Sequence, residues 1–280
     1  MCANCGCAEG TGVTLSNLQT GRHVHLDAEG GEFAHEHGHE HSHDHGHTHE
    51  HSHKHDDHHH HGTVVHLEHD VLAKNARLAD QNRGWLEGRN VCAVNIMSSP
   101  GAGKTTLLER TIRELGGELA IRVIEGDQET LRDSERIRAA GAAVIQINTG
   151  AGCHLDAAMV GRALRQLDPP AQSLVLVENV GNLVCPAMFD LGERARAVIA
   201  SVTEGEDKPS KYPHMFRAAD VVVLNKMDLL PHVSFQMAVF EQGLRELNPR
   251  AQVFKVSVTR GDGLAEWFRW LKTIADTQMA

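Results

Sequence analysis

The sequence predicts an α/β fold, a doubly wound and mostly parallel sheet, preceded by an N-terminal extension rich in metal-ligating side chains. Three observations lead there. From residue 91 onward, six short apolar runs, many of them β-branched, alternate with stretches long enough for helices. Such near-continuous apolar strands belong to a parallel sheet covered on both faces. The first run leads into a glycine-rich loop that opens a helix, the order of a phosphate-binding turn. Ahead of all this, residues 35–61 read "HEHGHEHSHDHGHTHEHSHKHDDHHHH", with almost nothing apolar to bury.

A tract of that composition cannot offset the entropy of ordering it. Residues 1–62 are therefore expected to form a Cys- and His-rich, largely disordered region, and residues 63–280 the globular domain. Residues 1 to about 34 hold a cysteine cluster and a Gly-rich polar linker. In "EHDVLAKNARLADQNRGWLEG", Val71, Leu72, Asn75, Leu78, Ala79, Trp85 and Leu86 recur at approximate helical spacing, and Gly88 is a stop signal. The spacing predicts an amphipathic helix leading into the core. Strands follow at "VCAVNIM" (91–97), "LAIRVIE" (119–125), "AAVIQIN" (142–148), "SLVLVEN" (173–179), "DVVVLNK" (220–226) and "AQVFKVS" (251–257), with no internal repeat. In a doubly wound sheet, ligands bind at the carboxyl ends of such strands.

The 280 residues suffice for one sizeable α/β domain plus an appendage, and 41% hydrophobic content is ordinary for a cored protein. A formal net charge of −10 argues against nucleic acid or an anionic membrane as partner. The 22 histidines qualify that sum, because imidazole titrates near a pKa of about 6.5 and the tract gains charge in mild acid or on binding metal. The start, "MCANCGCAEG", lacks a basic and then apolar leader, and no apolar run nears the roughly 18 residues of a membrane span, so a soluble cytoplasmic protein is expected. Three of the six cysteines crowd positions 2, 5 and 7, which suits metal ligation better than a disulfide framework.

"NIMSSPGAGKTTLLER" carries the phosphate loop. Gly101, Ala102 and Gly103 turn backbone N–H groups toward phosphate oxygens, Lys104 reaches the β- and γ-phosphates, and Thr105, followed by Thr106, offers a hydroxyl to Mg²⁺. The usual G-x4-G-K-S/T pattern would have glycine at 98, where this chain has Ser98, so the match is to its second half. Downstream, "LNKMD" places Asn225, Lys226 and Asp228 in an N-K-x-D spacing. The Asp228 carboxylate can accept from two neighbouring N–H donors on guanine, a pair that adenine lacks, so GTP is the expected nucleotide. Ser257, ending the last strand, is expected to close over the base. Asp127 in "VIEGDQET" and Glu178 at the end of "SLVLVEN" are the carboxylates placed to complete a Mg²⁺ shell or to orient the attacking water, with a solvated acidic residue at a strand end as the plain alternative for each.

Cys153 and His154 lie just beyond the third strand and Cys185 a few residues beyond the fourth. A parallel sheet brings both loops to the edge that carries the phosphate loop, where two thiolates and an imidazole can converge on one ion. That donor set selects Zn²⁺, Ni²⁺, Co²⁺ or copper over Mg²⁺ and Ca²⁺. The competing possibility is two small buried cysteines and a polar residue at a helix start. "MCANCGC" adds Cys2, Cys5 and Cys7 at a spacing that wraps a short peptide around one ion, and the histidine tract adds weaker imidazole sites for metal buffering, or serves as a solvated spacer.

Together, the phosphate loop, the NKMD element, Cys153-His154 with Cys185, the N-terminal cysteines and the histidine tract resemble the HypB family of nickel-insertion GTPases, SIMIBI-class P-loop proteins that mature nickel-iron hydrogenases. The resemblance covers essentially the whole chain. It implies a GTP-dependent homodimer with slow, switch-type GTP hydrolysis, and a nickel site at Cys2, Cys5 and Cys7. It further implies a second metal site at Cys153, His154 and Cys185 near the dimer interface, able to hold Ni²⁺ or Zn²⁺, a HypA-type nickel chaperone as partner, and a hydrogenase large subunit as nickel acceptor. Two alternatives stay open: a nickel GTPase serving another enzyme such as urease, and a metal-storage protein with weak GTPase activity.

Overall fold

The computed structural model describes residues 13–26, 32–36, 61–127, 132–150 and 152–279. Cys2, Cys5, Cys7 and nearly all of the histidine tract lie outside them. The described chain opens with β1 (Val13–Asn17), β2 (Arg22–Leu26) and β3 (Glu32–Glu36), then the long helix α1 (His61–Gly88). The alternating region follows as β4 (Cys92–Ser98), α2 (Lys104–Leu115), β5 (Ala120–Asp127), α3 (Arg132–Ala139), β6 (Ala143–Asn148), α4 (Ala157–Leu167) and β7 (Ser173–Glu178). The last part comprises β8 (Ala195–Ser201), α5 (Lys208–Lys211), α6 (Pro213–Arg217), β9 (Val221–Asn225), α7 (Met237–Leu247), β10 (Gln252–Lys255) and α8 (Leu264–Met279).

Among the described residues, ten strands form one sheet in the order β10-β9-β8-β4-β7-β5-β6-β1-β2-β3. From β10 to β6 the neighbours are parallel, and β1, β2 and β3 extend the β6 edge as an antiparallel meander. Alternate strand residues supply the two cores, as the period of two requires. Val94 and Ile96 of β4, with Val123 of β5 and Leu176 of β7, pack against Leu107, Leu108 and Ile112 of α2 and Trp267 of α8. On the opposite face, Ile145 and Ile147 of β6 and Val175 and Val177 of β7 meet Leu86 of α1 and Val160 and Leu164 of α4. There too, Val198, Val222 and Leu224 meet Met215, Phe216, Phe240 and Leu244 of α6 and α7. No helix among the described residues is long and apolar enough to cross a membrane.

Six of the seven parallel strands sit within three residues of the expected bounds. The seventh, β8, was not expected. Residues 179–194, between β7 and β8, hold no α-helix, only a 3-10 turn at Cys185–Ala187, so the alternation of strand and helix skips it, although "AVIAS" is an apolar run. Residues 1–62, expected to be largely disordered, form three strands in their described part. Within them β1 and β2 form a hairpin in which Asn17 Oδ1 accepts from the backbone N–H of Gln19 and Thr20, and Gly21 takes φ 69° to close the turn. Leu15 and Val24 then join the second core. The alternation in "VTLSN" and "RHVHL" around a Gly-containing turn was the available hairpin signal.

Helix α1 begins earlier than expected, at His61, and ends at Gly88 as expected. Its buried stripe is Asn75, Ala79, Asn82 and Leu86, one side of a 3.6-residue repeat, and half of it is polar. Asn75 donates to Asp190 O (2.7 Å) and accepts from Ala157 N (2.8 Å). Asn82 donates to Ala157 O (2.7 Å) and Leu191 O (3.0 Å). Arg83 adds a two-pronged ion pair to Asp190. Helix α1 thus holds the start of α4 and the loop before β8, the two segments nearest the Cys/His residues. Asn82→Ala removes the buried side-chain donor shared by Ala157 O and Leu191 O and is expected to cost about 1–3 kcal/mol in urea unfolding, whereas Asp80→Ala on the exposed face should stay within about 0.5 kcal/mol. Equal effects would contradict this role for α1.

Candidate functional site

The carboxyl edge of the sheet carries a cavity of about 560 Å³ between the β4–α2 loop and the ends of β5 and β7. Gly101 (φ 78°) and Gly103 (φ 101°) take left-handed backbone angles, which turn the loop around the space where α2 begins. A Cβ on Gly101 would meet open space, but one on Gly103 would lie 2.5 Å from Asn225 Nδ2. Ala102 is fully buried and its carbonyl accepts from Asn225 Nδ2 at 3.0 Å. Ser98, at the position where glycine is usual, is buried within the strand end and donates to Ser99 O. Ser99 Oγ in turn donates to Glu204.

Lys104, Thr105, Thr106, Asp127 and Glu178 all line the cavity. Thr105 Oγ1 donates to Glu178 Oε1 at 2.7 Å, and Lys104 Nζ lies 3.9 Å from the same oxygen. The other oxygen, Glu178 Oε2, is buried with no hydrogen-bond partner among the described residues. Burial pushes the Glu178 carboxyl above the usual range, opposed by Lys104. Glu125, a residue the sequence did not single out, sits in register with Glu178 on the neighbouring strand and accepts from Ser134 Oγ at 2.7 Å. Burial, with Glu178 adding to it, pushes the Glu125 carboxyl up to about 8. Arg136 of α3 faces the same cavity, paired with Glu109 at 2.8 Å and donating to Thr106 Oγ1 at 3.3 Å.

At the far end of the loop, the NKMD residues divide their work. Asn225 is buried and structural: besides Ala102 O, its carboxamide accepts from Lys226 N (2.7 Å) and Val258 N (3.2 Å), tying the phosphate loop to the ends of β9 and β10. Lys226, at φ 60°, lays its chain over the loop and donates to Gly101 O at 2.7 Å. Asp228 is half-buried, and the Ser257 hydroxyl donates to it at 2.6 Å and holds its carboxyl below the usual range. A half-buried carboxylate fixed in this way can receive a base edge with two N–H donors.

Cys153, His154 and Cys185 converge in the single chain, their ligand atoms all within 4.8 Å of one another. Cys153 Sγ is 3.6 Å from His154 Nδ1. The His154 ring stacks on Phe189 with centroids 3.9 Å apart, and burial pushes its pKa down, so the neutral, ligating imidazole is favoured. Asn182 Nδ2 donates to Cys153 O at 3.3 Å and bridges the two ligand loops. Sequence spacing alone left this convergence undecided against a pair of unrelated buried cysteines.

A family profile described as "CobW/HypB/UreG, nucleotide-binding domain" matches residues 92–255. The hydrogenase maturation factor HypB of Azotobacter vinelandii is 51% identical over 216 residues, covering 77% of this chain and 71% of that protein. The crystal structure of HypB from Archaeoglobus fulgidus superposes with a TM-score of 0.68 at 43% identity, covering 72% of this chain and 99% of that one. The structure of Helicobacter pylori HypB, solved in complex with nickel, gives a TM-score of 0.68 at 35% identity over 73% of this chain and 96% of that one.

The chain belongs to the HypB branch of this family. Membership makes the cavity a nucleotide site of the P-loop kind, built here with Ser98 in place of the usual first glycine. Beyond the expected residues, Glu125, Arg136 and Asn179 also line the cavity. Glu125 was legible as an acidic residue at a β-strand end; Arg136 and Asn179 had no signal beyond residue type. Since Gly103→Ala must satisfy both a left-handed φ and the Asn225 contact, it is expected to weaken GDP binding by at least about tenfold, and Gly101→Ala by clearly less, in fluorescent-nucleotide titrations. The reverse ranking would contradict this assignment of loop roles.

Proposed function

We propose that this chain is a GTP-hydrolysing metallochaperone that binds, stores and delivers nickel for the maturation of a nickel-iron hydrogenase. One observation carries the reading: the ligand atoms of Cys153, His154 and Cys185 lie within 4.8 Å of one another, on loops that leave the same strand edge as the phosphate cavity. Thiolates with an imidazole hold Ni²⁺ or Zn²⁺ in preference to harder cations.

The nucleotide half follows from the chain's own groups. Gly101, Ala102 and Gly103 present the loop backbone to the phosphates, Lys104 neutralises the β- and γ-oxygens, and Asp228 with Ser257 reads guanine. Thr105, Asp127 and Glu178 are all oxygen donors at the cavity wall, and the buried, partnerless Glu178 Oε2 is the kind of acceptor a hard cation satisfies, so these residues fit Mg²⁺. Bound there, Mg²⁺ supplies charge neutralisation for phosphoryl transfer. Either Asp127 or Glu178 orients the attacking water. Hydrolysis is slow and acts as a switch whose state alters the metal loops; linkage makes that effect reciprocal.

The remaining assignments belong to the same reading. Cys2, Cys5 and Cys7 form a further nickel site. The protein works as a GTP-dependent homodimer in the cytoplasm, receives help from a HypA-type chaperone, and hands nickel to a hydrogenase large subunit.

Lys104→Ala is expected to lower GTP turnover by at least about a hundredfold; turnover near the parent level would refute the nucleotide assignment. In a full-length Cys2/Cys5/Cys7→Ala variant, Ni²⁺ affinity read from thiolate-to-metal charge-transfer absorption should differ about fivefold or more between GDP and a nonhydrolysable GTP analogue, within the usual range for coupled sites. Loss of that absorption in Cys185→Ser locates the ion, and equal affinities in the two nucleotide states would end the switch reading.

A further inference from the structure

We infer that the carboxamide of Asn179 is the positioning group that couples the phosphate site to the Cys/His cluster. This rests on the switch reading given above and assigns it to a residue. Asn179 directly follows Glu178, the carboxylate that accepts from Thr105, and it is itself 1% exposed. Its backbone N–H donates to Ile96 O at 2.9 Å, which continues the β7–β4 pairing and leaves the side chain as the first group beyond the sheet.

That side chain grips both ligand loops. Asn179 Oδ1 accepts from Leu155 N at 3.2 Å and from Val180 N at 3.0 Å. Leu155 is the residue after His154, and Val180 opens the loop that runs to Cys185. Asn179 Nδ2 donates to Asn95 Oδ1 at 3.2 Å; Asn95 donates to Glu193 Oε1 at 3.2 Å, and Glu193 Oε2 accepts from Leu191 N at 2.7 Å, closing the chain on the far end of the Cys185 loop. Leu155 is held a second time from the nucleotide side: a Cβ on Gly126, between Glu125 and Asp127, would lie 2.9 Å from Leu155 Cδ2. All of Asn95, Leu155, Asn179 and Glu193 are buried, so these bonds have no water to fall back on and their loss is costly.

A triphosphate with its cation draws the Thr105 hydroxyl away from Glu178, and Glu178 must then find new partners. The peptide that follows it carries Asn179, so a shift of Glu178 displaces the acceptor shared by Leu155 N and Val180 N. His154 and Cys185 are thereby moved relative to each other. Nucleotide state reaches the metal ligands through one residue, with no domain rotation required.

The test uses the full chain in the Cys2/Cys5/Cys7→Ala background, at saturating nucleotide, with Ni²⁺ as the probe and thiolate charge-transfer absorption as the readout. The expected result is that Asn179→Ala brings the ratio of Ni²⁺ dissociation constants in GDP and in a nonhydrolysable GTP analogue to within about twofold of unity, while Asn179→Asp, which keeps the shared acceptor, retains a ratio above about threefold. If the background chain shows a nucleotide-dependent ratio and Asn179→Ala keeps it, or Asn179→Asp loses it as fully as alanine does, Asn179 is not the coupling group and the metallochaperone reading stands. If the background chain shows no ratio at all, the switch reading falls and the role of Asn179 falls with it. Amide hydrogen exchange on the background chain checks the same point without a substitution at 179: exchange at Leu155 and Val180 should change by at least about threefold between the two nucleotides, and unchanged exchange at both overturns the proposal.

Discussion

Parallel pairing of β4, β5, β6 and β7 is the constraint on which the rest of this structure depends. Strands that all run one way end on one edge, so every loop that leaves them emerges on the same side of the sheet. The register is level there: Ile96 opposite Glu178, Glu125 opposite Glu178, and Asp127 opposite Asn148. The phosphate loop, the carboxylates and the two loops that carry Cys153, His154 and Cys185 are neighbours for that reason. Their burial on both faces, with Val94, Ile96, Val123 and Val177 almost fully enclosed, holds the strands themselves in register.

The same edge gathers an unusual density of buried charge. Glu178 and Glu125 are nearly inaccessible and face each other across one strand pair, with Asp127 close by. Isolated carboxylates in such a place favour their protonated form, as the upward displacement of both glutamates indicates. Lys104, Thr105 and Ser134 compensate part of the cost through direct contacts. Electrostatically the cavity is poised for a ligand that brings a cation with it, which is how a triphosphate arrives.

Asparagine does much of the connecting. A loop that leaves a sheet has backbone groups with no ladder partner, and a carboxamide can satisfy a donor and an acceptor at once. Asn225 joins the phosphate loop to β9 and β10, Asn75 and Asn82 pin α4 and the loop before β8 to α1, and Asn95 and Asn179 link the strand ends beneath the two metal loops. These contacts are directional, so they specify one loop arrangement where apolar packing would tolerate several.

Much was legible from the order of residues alone. Apolar runs separated by helix-length spacers dictate a parallel sheet, Gly103-Lys104-Thr105 after the first run dictates a phosphate loop, and the N-K-x-D spacing names the base, because each rests on local chemistry at a fixed interval. The meander of β1 to β3 and the central strand β8 escaped notice because no α-helix among the described residues separates β1, β2 and β3 from one another or β8 from β7. Only the tertiary structure could decide whether Cys153 and His154 meet Cys185, that Asn225 braces the loop while Ser257 holds Asp228, and that Glu125, Arg136 and Asn179 share one cavity. Those facts depend on which strands are neighbours and on the level at which they pair, and a hydrogen bond between residues far apart in the chain leaves no periodic trace in its sequence.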